Sequence, residues 1–320
     1  MSRIIAERPT RLWLEIMVRR LLIALVAAFA AHPALGAPWR LVWSDEFDKP
    51  VIDVAKWNFE EDCWGGGNNE RQCYTAKSSN SRIVNGKLTI TALRQKSTGP
   101  ALPKSRRLGA SDLNAAVTKD FTSARLTTKG KGAWRYGKIE VRARLPQGQG
   151  AWPAIWMMPQ DNAYGGWAAS GEIDILEAVN LGVPCPKCPS GREDTILGTL
   201  HFGDQFPGNH HMGSEVHAPE VLEGFHTYTL EWREDVIVWK IDGRIFATRT
   251  SADWWTSGSK SPTSPFDQDF YLIINMAIGG GLAEDRGLGG VSTKEFPKTF
   301  AIDWVRVWQE DGKPVIAPTG

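Results

Sequence analysis

No stretch of this chain has helical periodicity long enough to build with. In its place runs a succession of short segments rich in β-branched and aromatic residues, each closed by turn residues. Residues 88–92, 138–145, 152–158, 172–179, 195–201, 226–232, 236–241, 271–278 and 302–308 all read as strands. Asn85-Gly86 and Asp242-Gly243 are strong two-residue hairpin turns, and the 32 glycines supply further tight corners. So many strands in one chain, with no linker, repeat or low-complexity tail, predict a single all-β sandwich of two antiparallel sheets. The polar, patternless stretch 94–119 reads as a long surface loop over one rim.

One of these strands carries charge where charge has no structural use. Glu172-Ile-Asp174-Ile-Leu-Glu177 sets three acids among aliphatic residues. In a strand, Glu172 and Asp174 share one face while Ile173 and Ile175 take the other. Glu177 falls one place late for the acidic face, and a β-bulge of one residue returns it to its partners. The two glutamates are then about 13 Å apart at the backbone, and side chains leaning inward bring their carboxyl groups to about 5 Å. That spacing belongs to a glycosidase that retains anomeric configuration. Three carboxylates this close cannot all ionise cheaply, so the set holds at least one proton near neutral pH.

Residues 1–36 read as an export leader: arginines through Arg19-Arg20, an apolar run at 21–31 too short to span a membrane, and a small-residue exit at Ala34-Leu-Gly36. The domain then occupies 37–320, in a secreted or periplasmic protein. The leader carries five arginines against two glutamates, so its removal turns a formal charge of +1 into −2. Nucleic acid and, after leader removal, membrane are therefore not expected partners. Four cysteines in an exported chain suggest two disulfides, and three pairings are possible. Local bridges Cys63–Cys73 and Cys185–Cys188 are favoured because each closes a short Gly- or Pro-rich loop, and export disfavours the rival four-thiolate zinc site. Five of the six histidines fall between His201 and His226, but without the His-Glu-x-x-His spacing of a transition-metal site.

Tryptophans flank the acids. Trp152 and Trp156 share a face of the preceding strand and Trp167 follows in a loop, so indole faces and N–H groups converge where a sugar ring would need them. With these flanks the chain resembles glycoside hydrolase family 16, particularly its bacterial endo-1,3-β-glucanases, the laminarinases. The resemblance rests on the acid strand, on Gln149-Gly-Ala-Trp-Pro-Ala-Ile-Trp-Met157, on Tyr136-Gly-Lys-Ile-Glu-Val-Arg-Ala-Arg-Leu-Pro146 and on Asn68-Asn-Glu-Arg-Gln-Cys-Tyr-Thr75. It continues through Phe270-Tyr-Leu-Ile-Ile-Asn-Met-Ala-Ile-Gly-Gly280 to Ile302-Asp-Trp-Val-Arg-Val-Trp308, nearly all of the chain beyond the leader.

The resemblance implies a β-jelly-roll with the acid strand lining a concave substrate cleft, and endo-hydrolysis of 1,3-β- or mixed 1,3/1,4-β-glucan. It implies Glu172 as nucleophile, Glu177 as general acid/base and Asp174 as the residue that orients and tunes the pair. Sugar contacts are implied for Asn69, Arg125, Trp152, Trp156, Trp167 and His201. No cofactor is implied for catalysis, but a structural Ca²⁺ is, on Glu46, the carbonyl of Gly86 and Asp303, hard oxygen ligands of the kind that ion takes. The chain departs from the family pattern after Ile278, where Gly279-Gly-Gly-Leu-Ala-Glu-Asp-Arg286 stands in place of an Asn-Trp, and the Cys185–Cys188 loop looks like an addition. Rival readings are the same chemistry on agarose or carrageenan, transfer to a sugar acceptor, or glucan binding without cleavage. The last loses force because both glutamates are present.

Overall fold

A computed structural model of the chain describes residues 38–285 and 290–311, so the leader at 1–36 lies outside the described residues. Two antiparallel sheets face one another. The first runs, in spatial order, through Arg244–Thr250, Val236–Ile241, His226–Trp232, Gly137–Arg144, Lys298–Glu310, Leu88–Ala92 and Ser81–Ile83, with Trp39–Asp45 also paired to Lys298–Glu310. The second runs through Asn209–His217, Thr195–Gly203, Glu172–Glu177, Ala151–Pro159, Phe270–Ile278, Arg125–Thr127 and Asn58–Phe59. The acid strand is thus third from an edge, with paired neighbours on both sides.

Both hairpin dipeptides turn as expected. Asn85 and Gly86 have φ of 50° and 68°, Asp242 and Gly243 of 47° and 80°, the left-handed pair that the twist of a two-residue hairpin demands. Both local disulfides, Cys63–Cys73 and Cys185–Cys188, form, which removes the thiolates that a zinc site needs. The stretch 94–119 is a correction: it is not one loop but contains a ribbon, Ser97–Pro100 against Ala116–Lys119, with the short helix Ala110–Asn114 in its return. Its Thr-Gly-Pro and Ala-Val-Thr segments alternate too weakly to read as strands, and they bury little. Among the described residues no helix is long and apolar enough to cross a membrane.

Ile173, Ile175 and Leu176 belong to the core between the sheets, together with Ile155, Leu200, Trp232, Trp239 and Val305. Two consecutive residues, Ile175 and Leu176, can both point inward only because the strand bulges there. Towards Ala151–Pro159, Leu176 pairs with Ile155 and Asp174 with the very next residue, Trp156, so Ile175 is the inserted residue. Towards Thr195–Gly203, Asp174 pairs with Thr199 and Glu177 with Leu197, which leaves Gly198 opposite the bulge. The opposing sheet uses that gap: Trp239, 1% exposed, donates its indole N–H to the carbonyl of Asp174 at 2.8 Å. A Cβ at Gly198 would stand 2.6 Å from the Trp239 ring. Gly198→Ala therefore overpacks the sheet interface at the bulge, and the expected loss is about 1–3 kcal/mol, read as a lower urea midpoint. An unchanged midpoint would mean that Gly198 does not make room for Trp239.

Candidate active site

The bulge delivers Glu172, Asp174 and Glu177 to the outer face of the second sheet, and neighbouring strands then wall them in. Glu172 pairs across the ladder with His201, Asp174 with Trp156 and Thr199, and Glu177 with Ala154 and Leu197. Asp174 is 2% exposed; the two glutamates are partly open.

Each glutamate is held by one indole. Trp152 Nε1 donates to Glu177 Oε1 at 2.9 Å, and Trp167 Nε1 donates to Glu172 Oε2 at 2.5 Å. His201 Nε2 lies 3.2 Å from Asp174 Oδ2 and 3.9 Å from Glu172 Oε1, so one imidazole reaches two of the three acids. Burial disfavours charge on His201, but the contact with Asp174 and the charges of Glu172, Asp174 and Glu177 prevail and lift its pKa to about 9. The imidazole therefore carries a proton at neutral pH.

Their surroundings push all three acids upward. Burial above all, then the charge of Asp174, pushes Glu177 up to about 8, against the opposing hydrogen bond from Trp152. Burial and then the charge of Glu172 push Asp174 to about 6. Burial raises Glu172 as well, but His201 and the Trp167 N–H pull it back. Glu177 thus stays an acid at neutral pH beside a second glutamate that a cation and an indole N–H favour in its charged form, the pairing that acid catalysis beside a nucleophile uses. Both Glu177 and His201 bind a proton more tightly in the folded chain than outside it. The stability Glu177 contributes is complete below 4.5 and lost as pH rises through about 8. That of His201 is complete below 6.5 and lost through about 9.

The remaining expected sugar contacts are placed as follows on this face. Trp156 lies partly open, its ring 4.6 Å beneath the Arg125 guanidinium, which Glu60 anchors at 3.1 Å. Trp167 and His201 have ring centroids 5.6 Å apart. Asn69 holds an exposed turn position at φ 60°, between Asn68 and Glu70, which lie with Trp152 around Gly280.

Glu70 belongs to a relay that the sequence reading passed over. Tyr74 donates its hydroxyl to Glu70 Oε2 at 3.2 Å and accepts from Asn275 Nδ2 at 3.0 Å, and Asn275 Oδ1 accepts the Trp156 N–H at 2.7 Å. Gln72 adds a donor to Glu70 at 2.7 Å. The relay fixes which way the Trp156 indole faces. Two signals pointed to it: Glu70, Gln72 and Tyr74 alternate on one face of an extended run, and Asn275 is the lone amide in the otherwise apolar strand Phe270–Ile278.

Past Ile278, the helix Gly281–Asp285 closes one end of this face. Ala283 and Leu282 pack on Trp152 and Val179, Arg71 clamps Glu284 at 2.7 and 2.6 Å, and Asn180 Nδ2 donates to the Ala283 carbonyl. Of the histidines of 201–226, His211 stays beside His201 with ring centroids 5.7 Å apart, while His217 pairs with Asp194 and His226 with Asp242, each at 2.6 Å. On the first sheet, Glu46 is held bidentately by Arg306 at 3.0 and 2.9 Å, and Asp303 by Arg142 and by Lys87 at 3.1 Å. Oxygen donors at Glu46, Gly86 and Asp303 suit calcium in kind. Both carboxylates are already neutralised, and an ion enters only by displacing three basic side chains.

The model of the family described as Glycosyl hydrolases family 16 matches residues 68–306. Glucan endo-1,3-beta-glucosidase of Cryptopygus antarcticus is 38% identical over 89% of this chain and 96% of its own length. Glucan endo-1,3-beta-glucosidase A1 of Niallia circulans is 37% identical over 87% of this chain, but the match takes in only 39% of that longer protein. The crystal structure of the laminarinase from Rhodothermus marinus superposes with a TM-score of 0.68 at 35% identity, covering 85% of this chain and 98% of that one. The chain belongs to glycoside hydrolase family 16, and its two-sheet sandwich is the β-jelly-roll.

The Trp152 N–H favours the ionised form of Glu177, so removing it should raise the pKa of that carboxyl further. In Trp152→Phe, a ¹³C-carboxyl titration of Glu177 is expected to show its midpoint moved above about 8. A midpoint that stays in place or falls would remove the indole from the control of Glu177.

Proposed function

We propose that this family 16 chain is a retaining endo-β-glucanase that cleaves 1,3-β- or mixed 1,3/1,4-β-glucan. The observation that carries the reading is the pair of glutamates brought to one face by a bulged strand in different company, Glu177 pushed up to about 8 beneath Trp152 and Glu172 held by the Trp167 N–H with His201 3.9 Å away. The substrate class follows from relatives named as endo-1,3-beta-glucosidases over most of this chain.

In the first step Glu172 attacks the anomeric carbon, the glycosidic bond breaks, and Glu177 gives its proton to the departing oxygen. Glu172 loses its charge as the ester forms, and Glu177 is left as the anion. Glu177, now an anion, takes a proton from water, whose oxygen attacks the same carbon and expels Glu172. Two displacements restore the β configuration. Asp174, between the two and paired with the His201 cation, keeps the local charge from collapsing onto Glu172. Trp156, Trp167 and Arg125 supply stacking area and donors for the sugar. Asn69 is assigned to the outer edge of the same surface.

Export completes the reading: two disulfides suit an oxidising compartment. Calcium on Glu46, the Gly86 carbonyl and Asp303 is proposed as an exchange for the Arg306, Lys87 and Arg142 pairs. Chelation is then expected to lower the melting temperature with no change in rate at moderate temperature. A melting curve indifferent to chelator and to added calcium assigns those carboxylates to the basic side chains alone.

Proton NMR of early hydrolysis of laminarin is expected to show the β-anomer first, with the α-anomer growing only by mutarotation. An α-anomer at the earliest time points would overturn the nucleophile assignment. Glu172→Gln should abolish turnover, by about 10⁴-fold or more, and still bind oligosaccharide, because the isosteric amide keeps the shape but cannot form the ester. A panel of laminarin, lichenan, agarose and carrageenan with reducing-end detection tests the polymer; no release from any of them would leave a binding protein.

A further inference from the structure

Trp167 does more than hold Glu172. Its ring continues outward into Phe206, with centroids 6.4 Å apart at a tilt of 36°, so one aromatic surface runs from the nucleophile to the protein's outer rim. Phe206 is 73% exposed. Exposure of a single aromatic is ordinary by itself. What sets this one apart is that its loop is tied down. Phe206 N–H donates to the Trp167 carbonyl at 2.7 Å, Gly208 N–H to the Gln205 carbonyl at 2.8 Å, and Ser257 Oγ to Asp204 Oδ1 at 2.9 Å. The Gln205 side chain lies across Gly166, where a Cβ would come within 2.9 Å of its Oε1. An exposed phenyl ring is thus held at a fixed place beside the catalytic indole, and little ordering remains to oppose a ligand that covers it.

We propose that Phe206 and Trp167 form an outer subsite that takes a further glucosyl ring of the same chain, beyond the ring that contacts the carboxylates. The inference rests on the β-glucan reading above. The occupant follows from the chemistry: the phenyl face suits the apolar CH face of a pyranose, and the exposed amide of Gln205 offers both a donor and an acceptor to its hydroxyls. Asp204, exposed in the same loop, disfavours sulfated or carboxylated sugars. Continuity with Trp167 makes the ligand part of the cleaved chain and not a separate sugar.

The test is a ladder of 1,3-β-gluco-oligosaccharides from trimer to heptamer, compared in wild type, Phe206→Ala and Phe206→Tyr. The alanine variant is expected to match wild type on the shortest cleaved oligosaccharide and to lose about tenfold in kcat/KM on the longest, through KM, with tyrosine restoring it. Thermal melting should not move. An equal loss at every length would mean that Phe206 only props Trp167, and no loss at any length would mean that the ring binds nothing; either result overturns the subsite. Should wild type cleave none of the ladder, the hydrolase reading fails separately. Titration of tryptophan fluorescence with the heptamer then decides the subsite, which stands if Phe206→Ala weakens binding of the heptamer more than of the trimer and falls otherwise.

Discussion

The active face depends on one hydrogen bond that crosses between the sheets. Inserting Ile175 turns Glu177 to the side of Glu172, and the same insertion interrupts the regular ladder at Asp174. A buried carbonyl without a donor is costly, and the Trp239 indole supplies the donor from the other sheet. That bond is possible because residue 198 has no side chain. The chemistry on the outer face is therefore conditional on packing at the inner one, where a glycine and a tryptophan fit each other. Core and catalytic residues are here the front and back of one irregularity.

Tryptophan serves this site first as a donor. Indoles suggest stacking platforms, but Trp152 and Trp167 each spend their N–H on a carboxylate, and Trp156 spends its own on Asn275. Three crowded acids beside one cationic imidazole would repel one another if treated alike. Each acid instead sits in different company: His201 and the Trp167 N–H favour charge on Glu172, while at Glu177 burial and the charge of Asp174 outweigh the Trp152 N–H and the same His201. In the proposed mechanism it is the difference in environment, and not in residue type, that separates acid from nucleophile.

Much of this was legible in the chain, because the signals were local. Alternation placed Glu172 and Asp174 together, the late position of Glu177 demanded a bulge, two turn dipeptides fixed two hairpins, and short loops favoured two disulfides. What escaped depends on partners distant in sequence. Nothing near Trp239 says that its N–H belongs to Asp174, and Glu70 acquires a task only when Asn275 is laid beside Tyr74. The strand Asn209–His217 was missed because an edge strand exposes every other residue and reads as polar loop. The ribbon at 97–119 failed to register for the same reason. Calcium on Glu46, the Gly86 carbonyl and Asp303 was implied by the family resemblance, and nothing local in the sequence shows that Arg306, Arg142 and Lys87 converge on the two carboxylates.

The relay beneath Trp156 joins Tyr74 to Asn275 across 201 residues of chain. A nascent polypeptide emerging from its amino end holds Glu70, Tyr74 and Trp156 long before it holds Asn275. Through most of synthesis, then, the indole has no fixed heading and the sugar-facing surface does not exist. Recognition of the polymer is among the last properties the molecule acquires. A chain that ends before Asn275 has the acid strand in its sequence but lacks the amide that sets the heading of the Trp156 indole.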